Sequence, residues 1–580
     1  EKMPIDDFLS QVSKPTRYIG REWNSCIKDW DKTKLHIALA YPDVYEIGLS
    51  NLAIPILYHL LNQQPDVLAE RAYAPWPDME AVLRRQGLPL FSLESKRPLK
   101  DFDVMGFSLG HELIYTNVLN MLDLAGIPVL AAERSDSHPL IIAGGSCVLN
   151  PEPMADFIDL FVLGEGEEVV LELVELLRQA KGMHRRELLL EAAKIEGIYV
   201  PSLYRVEYDR DGFPSAFYSL HAEAKPKIEK RWVAQLPPPL TSLIVPYMEV
   251  VHDRGVVEIQ RGCSRGCRFC QAGFIYRPVR ERPVSEVVEA ATDIVRNCGY
   301  RVISLLSLST SDYSGIEGLV GELARKEGLS LSLPSLRMDH SSVRLMDCLP
   351  QGKKKGLTFA PEAGSDRLRQ VVNKGLKSAD ILETMDFAFH KGWTSLKLYF
   401  ILGLPTETAE DIEGIIDLAR QGISIGGRGR IKVSTSLLVA KAHTPFQWLS
   451  QLHPKELVPQ LDYLSHRVRR LGADFSWHDP GMSFWEGILS RGDRRLGQVI
   501  YNAWRLSGGF DAWNDHFRFE HWEQALAGAG LAPELYTRQR GLDEPLPWDL
   551  VDTGLKKAVM KREYLRAFKS EETPDCRLGP

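Results

Sequence analysis

The chain has 580 residues, 44% of them hydrophobic, and this length predicts several domains rather than a single hydrophobic core. Its formal net charge of −7 gives no overall electrostatic attraction to nucleic acid. No uninterrupted apolar run approaches the ~20 residues that span a bilayer, which excludes a membrane-spanning protein. The 8 cysteines are too sparse for a disulfide framework, and the start "EKMPIDDFLSQ" carries no apolar signal segment, so we expect a cytoplasmic protein.

An extension over residues 1–33 precedes a first α/β region, which we predict over 34–197. Apolar strand-like runs alternate there with helix-like segments, a pattern typical of a doubly wound parallel sheet. The predicted elements are strands at 34–41, 102–109 and 139–145, helices at 52–62 and 112–126, and a last strand before "GEGEE" (164–168). Residues 198–245 predict a hairpin module around Asp211-Gly212 and a linker through "LPPPL".

A second α/β region is predicted over residues 246–440, with a helix from Val284 to Asn297. Its strand-like segments are "VVEIQRG" (256–262), "RVISLLSLST" (301–310), "LSLSLPSLR" (329–337), "GLTFAPEA" (356–363), "SLKLYFILGLP" (395–405) and "RIKVSTSLLVA" (430–440). Six such strands predict a partial parallel barrel of the TIM type, whose chemistry lies at the carboxyl ends of the strands. Residues 441–580 are helical in pattern and rich in tryptophan, which predicts a third, mainly α domain.

Three cysteines stand close together in "RGCSRGCRFCQAGF" (261–274), at Cys263, Cys267 and Cys270. A structural zinc site needs four ligands, and no histidine lies within this motif to complete one. A four-iron cluster held by three cysteines fits better, because it leaves one iron open to chelate a small molecule. Three incidental core cysteines are the alternative, although this spacing rarely arises without a metal.

This motif resembles that of the radical S-adenosylmethionine (SAM) superfamily, including the aromatic Phe269 before the third cysteine. The resemblance implies a 4Fe-4S cluster and bound SAM in a partial (β/α)6 barrel. It also implies a SAM contact at Glu362 in "FAPEAGSDRLRQ", while "LSTSDY" stands where many relatives have Gly-Gly-Glu. Further contacts implied by the resemblance are Ser309, Thr310, Ser335, Arg337 and Lys397. For Arg337 a surface ion pair is the alternative, and Thr408 with Asp411 is more simply a helix capping box.

The domain order resembles that of cobalamin-binding radical SAM enzymes, with a Rossmann-like cobalamin-binding domain before the barrel. Cobalamin domains carry Asp-x-His-x-x-Gly after the first strand, and "DVYEIG" (43–48) keeps Asp43 and Gly48 but has Tyr45 at the histidine position. A neutral phenol is a poor cobalt ligand, so we expect cobalt that is base-off with that face empty, water-bound or merely approached by Tyr45.

Short polar and glycine loops at the predicted carboxyl edge are suited to the nucleotide tail of cobalamin. The residues of these loops are Gly48, Ser50, Asn51, Ser108, Gly110, Glu112, Gly144, Gly145, Gly164 and Gly166. Glycines that merely turn the chain are the alternative, and His111 is another candidate contact.

The resemblance implies a methyltransferase acting on an unactivated carbon, in which one SAM methylates cobalamin and a second is cleaved to a deoxyadenosyl radical. A cyclase or rearrangement enzyme without methyl transfer is the alternative, and a cobalamin or SAM sensor without turnover belongs to a different class. The substrate is open among a small metabolite, a peptide, a lipid and a modified RNA nucleoside, and an electron donor such as flavodoxin or ferredoxin is implied. Methylthiotransferases hold a second cluster on three amino-terminal cysteines, whereas this chain has two there, Cys26 and Cys147.

Residues outside these motifs allow two interpretations. The carboxyl-terminal aromatics and His443 either line a substrate cavity or form core, and core is the commoner role. The basic segment 553–569 is either a phosphate-contacting helix or a solvated amphipathic one. Cys26, Cys147, Cys298 and Cys348 show no ligand spacing and are predicted to be inert thiols.

Overall fold

The computed structural model of the protein describes residues 3–180, 182–348 and 356–578. The chain divides into two compact units, neither of which is continuous in sequence. Unit 1 comprises Glu1–Asp253, Ile488–Tyr536 and Asp543–Gly554, and unit 2 comprises Arg254–Gly487, Thr537–Leu542 and Leu555–Pro580.

The first part of unit 1 alternates strands and helices as the sequence predicts. Its strands are β1 (Leu35–Tyr41), β2 (Val67–Tyr73), β3 (Val104–Ser108), β4 (Leu140–Gly144), β5 (Leu160–Val162), β6 (Ile198–Tyr199), β7 (Tyr204–Tyr208), β8 (Pro214–Ser219) and β9 (Ile228–Glu229). Its helices are α1 (Tyr45–Gly48), α2 (Ala53–Asn62), α3 (Pro77–Gln86), α4 (Tyr115–Ala125), α5 (Val169–Gln179) and α6 (Arg185–Ala192).

Six of these strands, β1 to β6, form one sheet in the order β2-β1-β3-β4-β5-β6. All neighbours are parallel except β5 and β6. The order reverses between β1 and β3, so the sheet has a switch point where ligands of doubly wound folds bind, at the carboxyl ends of these two strands. The α/β prediction for this region is confirmed, and β7 and β8 form the predicted antiparallel hairpin.

Strand β2 is an element that the sequence analysis missed. Its sequence "VLAERAY" contains Glu70 and Arg71, which interrupt the apolar run, yet both are buried in the sheet. Arg71 is held by Glu22 and Glu94, and Glu70 accepts a hydrogen bond from Ser95 Oγ. Partners from distant parts of the chain therefore make this charged strand compatible with a buried position.

Unit 2 contains the predicted parallel strands in two sheets. Its strands are β10 (Gly255–Glu258), β11 (Gln260–Arg261), β12 (Arg280–Glu281), β13 (Val302–Leu306), β14 (Ser330–Ser332), β15 (Leu357–Glu362), β16 (Ser395–Leu402), β17 (Arg430–Leu437) and β18 (Asp474–Trp477). Its helices are α7 (Gln271–Ile275), α8 (Val284–Cys298), α9 (Ile316–Ala324), α10 (His340–Asp347), α11 (Asp366–Val371), α12 (Ser378–His390), α13 (Ala409–Gly426), α14 (Pro454–Arg470) and α15 (Pro480–Ser490).

The two parallel sheets of unit 2 have the orders β10-β13-β14 and β15-β16-β17-β18, and β11 pairs with β12 in a short antiparallel ladder. All six predicted strands are present, and β18 adds a further parallel strand that the sequence analysis placed in the helical region. Helix α13 begins with the predicted capping box of Thr408 and Asp411.

The remaining elements are α16 (Leu496–Ser507), α17 (Phe519–Gly528), α18 (Glu534–Thr537), β19 (Val551–Asp552) and α19 (Lys557–Phe568). The structure distributes residues 441–580 differently from the predicted third domain, because 488–536 pack in unit 1 and 441–487 in unit 2. The hydrophobic periodicity of these helices indicates which face of each helix is buried, but it does not indicate which sheet that face packs against. Among the described residues, no helix combines the length and apolarity needed to cross a membrane.

Candidate functional site

The three cysteines of unit 2 lie on the loop that leads from β11 to α7. All three are half-buried free thiols. Burial and the neighbouring thiols Cys267 and Cys263 raise the pKa of Cys270 to about 12, and burial followed by the charge of Cys267 raises the pKa of Cys263. The three sulfur atoms are therefore close enough to influence one another.

Within the described part of the chain, no three His, Cys, Asp or Glu side chains converge closely enough to hold a single metal ion. The cysteines of a four-iron cluster each ligate a different iron and stand farther apart than the ligands of one zinc ion. Thiols with raised pKa values would lose their protons as iron binds.

Arg268, between the second and third cysteines, anchors the loop from inside the unit. It is fully buried, and its Nη1 donates to the carbonyl oxygens of Gln370 and Val371 at 3.0 Å each. Its backbone N–H donates to the carbonyl of Val372, also at 3.0 Å. The carboxyl-terminal end of α11 therefore fixes the side of the loop that carries Cys267 and Cys270.

Glu362, the predicted SAM contact, lies at the carboxyl end of β15 with a left-handed backbone (φ +68°). Its Oε1 accepts a hydrogen bond of 2.9 Å from Lys374 Nζ. Burial lowers the pKa of Lys374, but the Glu362 carboxylate and the Cys267 sulfur raise it more, so the net shift is upward. Lys374 thus carries its positive charge between the predicted SAM contact and the cysteine loop, and the sequence analysis missed it.

Arg337 reaches the same place from the segment after β14. Its Nη2 donates to the carbonyl oxygen of Lys374 at 2.5 Å. Its buried Nε has no hydrogen-bond partner, although the Asp339 carboxylate is 3.4 Å away. A buried guanidinium N–H without a partner suits an additional carboxylate acceptor, so the residues here fit the carboxylate of SAM.

Three of the predicted hydroxyl contacts are brought together, and the hydroxyls of two of them are bonded within the protein. Ser309 Oγ donates to Asp312 at 2.6 Å, and Thr310 Oγ1 donates to the carbonyl of Pro334 at 2.5 Å. The backbone N–H of Thr310 donates to the carbonyl of Ser335, which has φ +59°. These residues therefore join the loops after β13 and β14 into one surface beside Cys263.

Lys397 is not placed with the other predicted SAM contacts. It is the third residue of β16, about 16 Å from the carboxyl end of the strand at about 3.3 Å per residue. Its Nζ donates to the Tyr399 hydroxyl at 2.7 Å and lies 4.5 Å from the centroid of that ring. The sequence of this segment does not show where β16 begins and ends, so it did not reveal how far Lys397 lies from the carboxyl end of the strand.

Burial favours the core interpretation for most of the carboxyl-terminal tryptophans. Trp448, Trp485, Trp522 and Trp548 are all fully buried, whereas Trp477 is 46% exposed. In α19 the side chains of Met560, Tyr564 and Ala567 are buried on one face, as in an amphipathic packing helix.

In unit 1, the predicted cofactor loops meet at the switch point. Ser146 Oγ donates to the carbonyl of Gly110 at 3.3 Å, and a Cβ at Gly110 would lie 3.8 Å from the Tyr41 hydroxyl. Gly110 is exposed, whereas Asn51 is half-buried. The loops after β1, β3 and β4 thus form one partly open edge.

Several predicted glycine contacts are also required by the packing of the chain itself. A Cβ at Gly48 would lie 2.4 Å from the Tyr73 ring, at Gly145 2.4 Å from the carbonyl of Leu109, and at Gly164 2.2 Å from that of Arg231. Gly144 and Gly166 are less restricted, with nearest atoms at 3.8 and 3.6 Å. Close packing alone explains the first three glycines.

The polar residues of these loops are also partly engaged. Ser50 Oγ donates to the carbonyl of Glu46 and accepts from the backbone N–H of His252. Asn51 Oδ1 accepts from the backbone N–H of Ala53. Ser108 and Glu112 are buried, and the His111 ring accepts from the N–H of Leu113.

Tyr45 does not face the open edge. Only 2% of the residue is exposed, and its hydroxyl donates a 2.8 Å hydrogen bond to Glu22 Oε1. Burial, followed by the charge of Glu22, raises the pKa of Tyr45 well above its usual value. The phenol is therefore neutral and hydrogen-bonded to an internal carboxylate. This position does not favour the predicted approach of Tyr45 to cobalt.

Two protein-family models match this chain. The model described as "Radical SAM proteins, N-terminal" matches residues 53–201, and "Radical SAM superfamily" matches residues 257–419. An uncharacterised protein of Methanocaldococcus jannaschii is 28% identical over 471 residues, which cover 80% of this chain and 90% of that protein. A tRNA-2-methylthio-N(6)-dimethylallyladenosine synthase of Bartonella henselae is 25% identical over 52% of this chain and 60% of its own length.

Two solved structures are also similar. The radical SAM methyltransferase TsrM of Kitasatospora setae, solved with cobalamin and a 4Fe-4S cluster bound, has a TM-score of 0.49 at 13% identity, over 74% of this chain and 78% of that one. The cobalamin-dependent SAM radical enzyme OxsB has a TM-score of 0.45 at 12% identity, over 92% and 79%. Both scores lie below 0.5, so neither likeness establishes a shared fold. Two models named for radical SAM proteins thus match in chain order, and residues 257–419, which include the three-cysteine loop, match the radical SAM domain.

Proposed function

We propose that the chain is a cobalamin-dependent radical SAM enzyme, and most simply a methyltransferase that acts on an unactivated carbon. The observation that carries the proposal is the cysteine loop of unit 2, beside which Glu362, Lys374 and Arg337 converge. When bound, a 4Fe-4S cluster, SAM and cobalamin would supply the electron transfer, the radical and the methyl group.

The protein residues would bind and orient these groups. Cys263, Cys267 and Cys270 would ligate three irons and leave the fourth open for SAM. Arg337, whose buried Nε makes no hydrogen bond, would pair with the SAM carboxylate, and Glu362 would accept from a donor group of SAM. Lys374 would balance the negative charge of the cluster thiolates.

Cobalamin would bind at the switch point of unit 1. The support is the crevice position at the carboxyl ends of β1 and β3 and the exposed, side-chain-free edge at Gly110. Position 45 offers no imidazole, and the phenol there is bonded to Glu22. We therefore propose cobalamin that is base-off and without a nitrogen ligand from this loop.

The first prediction concerns the cluster. Replacement of Cys263, Cys267 and Cys270 by Ala should abolish iron and sulfide binding and reduce 5′-deoxyadenosine formation under strongly reducing conditions to background. A matched control replaces Cys26, Cys298 and Cys348, which lie outside the motif, and should retain both. If the motif variant kept its iron and cleaved SAM, the cluster assignment would be wrong.

The products of the intact enzyme distinguish the proposed function from its alternatives. A methyltransferase forms S-adenosylhomocysteine together with deoxyadenosine, a rearrangement enzyme forms deoxyadenosine without S-adenosylhomocysteine, and a sensor forms neither. Metabolite and RNA-nucleoside profiling of a deletion strain would identify the methyl acceptor. Methylthiolation, the activity in the name of the Bartonella relative, is not proposed. Methylthiotransferases hold a second cluster on three amino-terminal cysteines, and residues 1–262 of this sequence contain two, Cys26 and Cys147.

A further inference from the structure

Residues 571–577, which we call the clasp, lie against the loop that carries the cluster cysteines. Ser264 Oγ donates to Asp575 Oδ2 at 2.9 Å, and the backbone N–H of Cys576 donates to the carbonyl of Ser264 at 3.2 Å. Arg268 Nη2 donates to the carbonyl of Glu571 at 2.6 Å. The clasp therefore contacts the loop on both sides of Cys267.

Four charged side chains form a closed ring between the clasp and the site. Arg265 Nε and Nη2 donate to the two carboxylate oxygens of Asp312 at 3.0 and 2.5 Å. Arg577 lies 3.7 Å from the Asp312 carboxylate and 2.8 Å from that of Asp575. Asp575 closes the ring at 3.4 Å from Arg265 Nε. Positive and negative charges alternate, so each one has two opposite neighbours.

The two carboxylates of the ring are buried, whereas its two guanidinium groups are partly exposed. The side chains of Asp312 and Asp575 are 5% and 6% exposed, and those of Arg265 and Arg577 are 30% and 41% exposed. A buried carboxylate is screened less by solvent than an exposed one, and loss of its partner leaves its charge uncompensated. The ring is therefore most sensitive to changes at its two carboxylates.

A second connection runs through Asn373. The backbone N–H of Thr573 donates to Asn373 Oδ1 at 2.8 Å, and Asn373 Nδ2 donates to the carbonyl of Gly266 at 3.1 Å. Thr573 Oγ1 also donates to Glu563 of α19, which pairs with Arg268. Between Cys263 and Cys267, Ser264, Arg265 and Gly266 are thus each held by a hydrogen bond or ion pair.

We infer that the clasp positions the cluster loop, and that Asp575 is its principal positioning residue. Asp575 binds the hydroxyl of Ser264 and the guanidinium of Arg265, the two residues that follow the ligand Cys263. A loop held in this way presents its sulfurs in one arrangement before iron arrives, so less conformational entropy is lost on cluster binding. The inference depends on the cysteine motif and not on cobalamin or on methyl transfer.

The test compares Asp575→Asn with Glu572→Gln, an exposed carboxylate of the same segment. In the cluster-free protein, Asp575→Asn should increase hydrogen exchange of the amides in residues 263–268 by about tenfold, the effect of losing one charged hydrogen bond. Exchange in the sheet of unit 1 should stay unchanged. In the reconstituted protein, a chelator should remove iron from the Asp575→Asn variant several times faster than from wild type.

The electron paramagnetic resonance spectrum of the reduced cluster gives a readout that general destabilisation does not imitate. Addition of SAM should shift the wild-type and Glu572→Gln spectra completely, and the Asp575→Asn spectrum only in part. If hydrogen exchange, iron release and the spectrum of the Asp575→Asn variant all matched those of the wild type, the inference would be overturned. If that variant failed to fold, Ser264→Ala removes only the hydroxyl that binds Asp575, and unchanged exchange and iron release there would overturn it equally.

Discussion

The hydroxyl of Tyr45 belongs to a buried group of charges in unit 1. Arg71 Nη2 lies 2.6 Å from Glu22, its Nε lies 2.6 Å from Glu94, and the Tyr45 hydroxyl donates to Glu22. Two carboxylates compensate one guanidinium, and the phenol supplies a further donor for the excess negative charge. At the residue scale, the tyrosine at the usual histidine position therefore has a structural explanation.

Replacement of Tyr45 by Phe should remove this donor and retain the ring. We expect the free energy of unfolding of unit 1 to fall by about 1–3 kcal/mol, the cost of leaving a buried acceptor with fewer partners. Denaturant titration followed by near-ultraviolet circular dichroism would measure it. Tyr218→Phe, at a position 44% exposed, is the matched control and should change little. Equal stabilities of the two variants would show that the Tyr45 hydroxyl contributes nothing to the buried group.

The loops after β3 and β4 act as one element at the edge of the sheet. Leu109 N–H donates to the carbonyl of Gly144 at 2.7 Å, and the N–H of Cys147 donates back to the carbonyl of Leu109 at 3.2 Å. Gly145 lies between them with φ +114°, a backbone conformation that other residues rarely adopt. The approach of the two loops therefore depends on the absence of a side chain.

Gly145→Ala should separate the loops, because its Cβ would meet the carbonyl oxygen of Leu109 at 2.4 Å. We expect a loss of about 3 kcal/mol or more, from strain and a backbone shift together. Gly126→Ala is the control: it also has positive φ, but no atom lies within 4 Å, so we expect about 1 kcal/mol. Thermal unfolding of both variants compares the costs, and similar losses would contradict the close approach.

Unit 1 is completed by residues that are hundreds of positions away from its sheet. Thr116 Oγ1 in α4 donates to Asp511 at 2.5 Å, and the N–H of Phe510 donates to Asn117 Oδ1 at 2.6 Å. Trp522 in α17 donates to the other oxygen of Asp511. At the scale of the whole molecule, the α/β unit thus depends on the late helices to cover α4.

A chain that ends at residue 440, the predicted end of the barrel, should therefore fail to form a stable unit 1. Truncation exposes the face of α4 that α16 and the segment around Asp511 cover, and leaves its polar groups without these partners. We expect loss of the cooperative thermal transition and binding of a hydrophobic dye, with the full chain as the control. A truncated chain that unfolds cooperatively at the same temperature would show that residues 441–580 are dispensable for unit 1.

Sequence spacing by itself determined the cysteine motif, the parallel strands of both α/β regions except β2 and β18, the hairpin and the capping box of α13. These features depend on local periodicity or on ligand spacing, which a linear sequence expresses directly. The position of Glu362 at the carboxyl end of a strand also agrees with the sequence, and its contact with SAM stays a prediction from the resemblance of its segment.

Only the tertiary structure showed how Tyr45, Lys374, Lys397 and Asp575 are used. Each depends on a partner or a position that sequence spacing does not express: Glu22 for Tyr45, Glu362 and Cys267 for Lys374, and the length of β16 for Lys397. Asp575 meets Ser264 across 311 residues. Buried charges acquire their roles from the opposite charges that folding brings to them, so long-range packing decided these residues.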